Sequence, residues 1–274
     1  MEDIASGIIL RDGIYFPDRY REKLELSYPD DSRTLLYEVE ERSYWFSHRN
    51  KCITFLAKKY SEDGLFVDVG GGNGAVSKSL QDNGFAPILV EPGESGCQNS
   101  LDRGVREIYC GLIEEIRFFP EVNVEAIGIF DVLEHIEDDL GFLRSLHSII
   151  SSEGYLYITV PAFNLLWSKD DVAAGHFRRY TRKSIREALQ SSGFHVVENR
   201  YFFSLLFFPI LLLKSIPSKL RLYRRSAGKI KGEHTPNRVI SRFFDWRLGR
   251  EFDRFKAGKG RLYGSSLLVV AKKF

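Results

Sequence analysis

The sequence predicts an α/β fold in which a parallel sheet is covered by helices on both faces. Three observations predict it. From Leu65 onward, short and almost wholly apolar runs alternate with segments of helical periodicity, the pattern of strands buried on both sides. The first of these runs leads straight into Asp68-Val69-Gly70-Gly71-Gly72-Asn73-Gly74, a glycine-rich turn that opens a helix. The next run ends on an acid, Glu91.

The elements follow in order. Residues 1–43 read as an extension. Within it, Gly7 to Phe16 holds two apolar runs around Asp12-Gly13, a hairpin signal, and the charged stretch to Glu41 reads as irregular or helical. Tyr44 to Tyr60 is helical, because Trp45, Phe46, Arg49, Ile53, Leu56, Ala57 and Tyr60 recur at helical steps until Asp63-Gly64 breaks the pattern. Strands are expected at Leu65–Val69, Pro87–Glu91, Arg106–Cys110, Ala126–Phe130 and Tyr155–Val160. Helices are expected between them at Ala75–Leu80, Glu94–Leu101 and Leu140–Ile150. A helix at Ser184–Leu189, a strand at His195–Tyr201 and a last apolar strand at Ser265–Ala271 complete the pattern. The expected organisation is an extension (1–43), a core (44–203), an apolar and basic helical insertion (204–260) and a final core strand (261–274).

Composition narrows the classes. The 274 residues are 43% hydrophobic and 28% charged, as in an ordinary globular domain. A net charge of +2 argues against a polycation built for nucleic acid, so nucleic acid is not an expected partner. Cys52, Cys97 and Cys110 are odd in number, far apart and form no CxxC pair. That argues against a disulfide framework and a zinc site, and for a reducing, cytoplasmic setting; no metal is expected. Acidic Glu2 and Asp3 with no basic n-region make a secretory leader unexpected.

The glycine loop lets a ligand lie against main-chain atoms, and the helix behind it attracts anionic groups. Glu91, one strand over, can accept both hydroxyls of a ribose, so the pair specifies a nucleoside ligand. Gly70, Gly72 and Ala75 also satisfy the dinucleotide pattern, which keeps an NAD-dependent oxidoreductase as an alternative. S-adenosylmethionine (SAM) is favoured by Asp68 at the strand end, where it could meet an amino group. The compact G-x-G-x-G spacing and the apolar strand that returns after a long excursion favour it too.

These residues resemble class I SAM-dependent methyltransferases. Asp68 to Gly74 is similar to their first motif, Phe130 to Asp138 to the segment after their fourth strand, and Gly154 to Pro161 to their fifth strand. Tyr44-Trp45-Phe46-Ser47-His48-Arg49 and His176-Phe177-Arg178-Arg179-Tyr180-Thr181 resemble segments of bacterial type 11 and type 23 methyltransferases, many from cell-surface glycan or lipid pathways. The resemblance implies a Rossmann-like seven-stranded sheet with the last strand antiparallel. It implies Gly70, Gly72 and Gly74 against the methionine and ribose parts of SAM, and Glu91 on the ribose. An acid that many relatives place near adenine is missing, leaving main chain and Leu112 for that contact.

Methyl transfer to oxygen needs positioning and a base. His135, just past a strand end, is one candidate; the bland reading is a helix-start residue bonded to its loop. Asp131 reads as shaping the cofactor pocket. His176 is a second catalytic candidate. Arg178, Arg179 and Tyr180 either grip an anionic substrate group or belong to an ion-paired loop. Trp45 and Phe46 read as core packing on a helix that can cover the cofactor, whereas His48 and Arg49 are harder to assign to the core.

Phe202 to Leu213 is apolar but for Ser204, is interrupted by Pro209, and precedes Lys214, Lys219, Arg221, Arg224, Arg225, Lys229 and Lys231. It is short for a membrane span. Residues 202–231 therefore form either a peripheral membrane contact on the inner face or a buried helix at the substrate site or a homo-oligomer interface. Phe243 to Phe255 reads as an amphipathic helix on the domain. Together these features predict methyl transfer from SAM to a small or lipid-linked acceptor, possible as a glycan hydroxyl; a non-catalytic SAM-fold binding protein is the other alternative.

Overall fold

The computed structural model describes residues 4–18, 37, 39–41, 43–61, 65–222 and 238–274. The strands are β1 (Ala5–Ser6), β2 (Ile8–Arg11), β3 (Ile14–Pro17), β4 (Phe66–Val69), β5 (Pro87–Glu91), β6 (Glu107–Cys110), β7 (Arg117–Phe118), β8 (Ala126–Phe130), β9 (Tyr155–Pro161), β10 (Phe194–Phe202) and β11 (Ser266–Lys273). Nine of them form one sheet in the order β10-β11-β9-β8-β4-β5-β6-β3-β2. Strands β9, β8, β4, β5, β6 and β3 run parallel, and β11 lies antiparallel between β9 and β10. The stretch from β6 to β10 is the seven-stranded sheet that the sequence predicts, its last strand antiparallel.

Two further strands extend it. Asp12 and Gly13 turn the chain with φ of 48° and 84°, the left-handed pair whose twist suits a tight hairpin. The resulting β2–β3 pair docks beside β6, with Tyr15 opposite Tyr109 and their rings stacked at 4.8 Å.

Helices cover both faces: α1 (Tyr44–Tyr60), α2 (Ala75–Asp82), α3 (Glu94–Asp102), α4 (Asp139–Ile149), α5 (Lys169–Ala174), α6 (Arg182–Ser191), α7 (Ser204–Ile210), α8 (Ile216–Lys219) and α9 (Arg238–Lys256). Alternation along the strands divides the core. Val67, Val69, Ile127, Ile129 and Ile158 meet Leu143 and Leu146 of α4 on one face. Phe66, Ala126, Tyr157 and Leu268 meet Ile53 and Leu56 of α1 and Phe255 of α9 on the other.

Helices α1, α7 and α9 are tied by one buried acid, Glu251. It accepts hydrogen bonds from the main-chain N–H of Phe203 (2.5 Å) and Ser204 (2.9 Å), the open donors at the start of α7, and faces His48 Nε2 at 3.4 Å. Burial works upward on its carboxyl, but the bonds from His48 and Ser204 outweigh it and hold it below the usual carboxylate range.

Over 202–222, the described part of the segment expected at 202–231, the structure does not have a wholly buried helix. Phe202, Phe203, Phe207 and Ser215 are buried, whereas Leu212 is 58% and Leu213 69% exposed, and Ile216 and Leu220 are exposed with them. A helix in contact with the domain along one side leaves the residues of the other side in solvent. Between α7 and α8 the backbone widens into a π turn at Leu211–Ser215, and Ser215 Oγ donates to the Leu166 carbonyl at 2.7 Å. Arg224, Arg225, Lys229 and Lys231, the stretch before Glu41 at 19–36, and Asp63-Gly64 lie outside the described residues. Among the described residues, no helix is long and apolar enough to cross a membrane.

Candidate functional site

The chain leaves β4 toward β5 on one side and returns to β8 on the other, so a crevice opens at the carboxyl ends of these strands. The glycine loop forms its floor. The four glycines there are not equivalent. A Cβ on Gly70 would strike Val132 at 2.7 Å, one on Gly71 would strike Leu89 at 2.8 Å, and one on Gly74 would strike Ser100 at 2.8 Å. These three glycines allow close packing of the loop. A Cβ on Gly72 would meet nothing within 4 Å among the described residues, and its φ is +56°. Of the four, Gly72 alone has clear space in the Cβ direction among the described residues.

Glu91 spans the crevice. One carboxylate oxygen accepts from the Gly72 N–H (3.0 Å) and the other from the Gly93 N–H (2.7 Å), and the residue is buried rather than turned to solvent. Asp68 lies beneath the loop, fully buried, accepting from Ser77 Oγ at 2.6 Å. Burial pushes its carboxyl up to about 6, against the lowering effect of that hydrogen bond. Leu112, half-buried after β6, donates its N–H to Glu115.

Asp131 ends β8 in the left-handed region, φ 59°, a costly conformation for a residue with a side chain. Its carboxylate pairs with Arg49 of α1, whose guanidinium lies over the rings of Trp45 (4.9 Å) and Phe46 (5.0 Å). Helix α1 is therefore fastened to the crevice by Arg49, while its neighbour His48 is buried among Phe202, Phe203 and Phe252. Position in the sequence gave no sign of the Arg49–Asp131 pair; the two residues meet only through the fold.

Beyond Asp131, a 3-10 turn (Leu133–His135) carries Glu134 and His135. The ring of His135 lies 4.7 Å from that of His176, edge to face. Burial, then the neighbouring His176, lowers His135 to about 4, so it is neutral at neutral pH. Glu134 is 1% exposed, and its Oε2 has no hydrogen-bond partner among the described residues. Burial, with the Asp131 carboxylate beside it, pushes the Glu134 carboxyl well up. Asp171 of α5 accepts from His176 Nδ1 at 3.0 Å and from Arg179 Nε at 2.7 Å. Burial works upward on Asp171, but the bonds from His176 and Arg179 outweigh it and bring it down to about 2.

The structure thus brings His135 and His176 together and sorts the arginine cluster. Arg179 is spent on Asp171 and the Ala162 carbonyl. Tyr180 is 2% exposed and its hydroxyl donates to Asp139, so its expected contact with a substrate gives way to a place in the core. Arg178 pairs with Asp139 at 2.7 Å and donates to the Glu137 carbonyl at 2.5 Å, but its side chain stays about a third exposed.

Comparison with known proteins agrees with this geometry. Residues 42–199 match the family model described as a methyltransferase domain. Curated protein sequences return no match. Among solved structures, the chain is similar to one from a Haloferax volcanii complex of a methyltransferase activator and a methyltransferase (15% identity, 89% of this chain and 95% of that one, TM-score 0.54). It is similar to a SAM-dependent methyltransferase from Thermotoga maritima (14% identity, 89% and 95%, TM-score 0.53). It is also similar to a phosphoethanolamine N-methyltransferase from Haemonchus contortus in complex with SAM (16% identity, 82% and 52%, TM-score 0.51), spanning about half of that enzyme. At these identities the likeness is one of fold; the family model, which covers more than half of the residues, assigns the chain. It belongs to the methyltransferase domain family.

Proposed function

We propose that this chain binds SAM in the crevice and transfers its methyl group to a hydroxyl of a small or lipid-linked acceptor. Gly72 carries the reading. Its left-handed backbone and clear Cβ direction leave space for a ligand at the point where its N–H meets the Glu91 carboxylate. The donor set fits SAM. Main chain from Gly70 to Gly74 would hold the methionine and ribose parts, Glu91 the ribose hydroxyls and Asp68 the ammonium. Leu112 would lie beside adenine, and Asp131 would shape the pocket.

When bound, SAM supplies a methyl on a positively charged sulfur, with a neutral thioether as leaving group. The rest of the task falls to the chain. Helix α1, fastened through Arg49 to Asp131, keeps water from that side of the crevice. His135 and His176 stand where the acceptor would approach and handle its hydroxyl proton, His176 being oriented by Asp171. Arg178 is placed for an anionic group such as a phosphate. A lipid-linked acceptor is favoured by the outward leucines between α7 and α8, on a segment whose Lys214 pairs with Asp170 of α5, the helix that carries Asp171 and precedes His176.

The test is calorimetric titration with SAM, its demethylated product and NAD. The first two are expected to bind and NAD is not. Gly72→Val is expected to weaken SAM binding at least about 100-fold, since that is roughly 2.7 kcal/mol of excluded contact. Unchanged SAM affinity in a folded Gly72→Val protein overturns the reading. SAM binding with no turnover across a broad acceptor panel would leave a non-catalytic binding protein.

A further inference from the structure

We infer that Glu134, His135 and His176 form a binding site for a divalent cation of the zinc class, on the acceptor side of the crevice. Each offers one ligand atom, and the three atoms lie within 4.8 Å of one another. Ligands sharing a zinc-class ion at about 2.1 Å sit about 3.4 Å apart, so modest side-chain rotation closes the set. Two imidazoles and one carboxylate are a borderline donor set, suited to Zn2+, Co2+ or Fe2+ rather than to Mg2+ or Ca2+.

A second observation points to a ligand independently. Glu134 Oε2 is buried and has no hydrogen-bond partner among the described residues. A carboxylate oxygen removed from water with nothing in exchange is costly, and a cation would satisfy it.

The surroundings are those of a built site. His176 is fixed through Nδ1 by Asp171, which is itself held by Arg179 and by the Ser168 N–H (2.8 Å). His135 has a hydrogen bond to the Gly175 main chain. Such outer partners set the ring orientation and leave the second nitrogen for a metal. The main chain joins the two halves. Phe177 N–H donates to the Glu134 carbonyl (2.8 Å), and His176 N–H to the Asp171 carbonyl (3.0 Å). Three protein ligands leave a coordination position open, the arrangement of a site that binds a water or an acceptor oxygen.

The use of the cation rests on the methyltransferase reading; its binding does not. A hydroxyl on the open position would lose its proton to water at lower pH than when free. The imidazole lone pairs would then be committed to the metal, and activation of the acceptor would pass from the histidines to the ion.

The full chain, stripped with a chelator, should take up one Zn2+ in calorimetry. With Co2+ it should show the visible absorption of a low-coordinate site. Glu134→Gln and His176→Ala are each expected to weaken uptake at least about 10-fold, and Asp171→Asn, acting through His176, by about 10–100-fold. SAM affinity, measured on the same samples, should stay within about 2-fold and report that each variant is folded. Zn2+ uptake equal in wild type and Glu134→Gln, or none at all in SAM-competent wild type, overturns the inference and leaves the histidines as the base. Failure of wild type to bind SAM would instead strike the methyltransferase reading.

Discussion

Asp68 sits where a charge is costly. Ser77 donates to its side chain, and burial raises its pKa from 3.8 to about 6. Because the folded value exceeds the unfolded one, the ionised form destabilises the protein. The cost grows as pH rises from about 4 to about 6 and is constant above that. Asp68→Asn is therefore expected to stabilise the chain at pH 7 by up to about 3 kcal/mol, with the gain shrinking toward pH 4. The same change should weaken SAM binding if Asp68 meets the ammonium. Urea unfolding at both pH values checks the first part; lower stability of the variant at pH 7 would refute it. At this scale the sequence was informative where chemistry is local. The glycine loop and Glu91 lie on adjacent strand ends, and the motif shows both. It was silent on Arg49 with Asp131, and on Glu134 and His135 with His176, because only long-range folding joins them.

The helical elements carry a division of labour that an apolar run conceals. A stretch such as Phe202 to Leu213, with one polar residue, has no readable face, so its inward and outward sides emerge only from the fold. The inward side is core. Deleting 202–231 would remove Phe202, Phe203 and Phe207, and would leave Glu251 buried without the Ser204 and Phe203 donors. Point changes on the outward side are the sharper probe. Leu212→Glu with Leu213→Glu is expected to lower binding to vesicles containing phosphatidylglycerol by at least about 10-fold, each exposed leucine being worth roughly 1.5–3 kcal/mol when buried. SAM affinity should not change. Equal vesicle binding by wild type and variant would count against a lipid-facing role. The basic residues Lys214 and Lys219 lie on the same segment, but each is already engaged, with Asp170 and with the Leu165 carbonyl respectively.

The whole molecule is a sheet whose parallel centre was legible and whose edges were not. The positions of β4, β5, β6, β8 and β9 follow from apolar runs, and their boundaries shift by a residue or so between sequence and structure, whereas the two-residue β7 left no such signal. Where the hairpin around Asp12-Gly13 would dock left no trace in its own sequence; the pairing of β3 with β6 depends on an open strand edge supplied elsewhere in the chain. The placement of β11 was likewise beyond periodicity and came through family resemblance. That placement has a consequence for biosynthesis. Strands β9 and β10 are made first but are held apart by a strand translated much later. Until Ser266–Lys273 leaves the ribosome, the facing edges of both neighbours lack this partner, and that end of the sheet stays incomplete. A version ending at residue 260 should therefore fail to fold, seen as lost SAM binding and light scattering on concentration. A native circular dichroism spectrum from that version would show that the gap can be bridged without it.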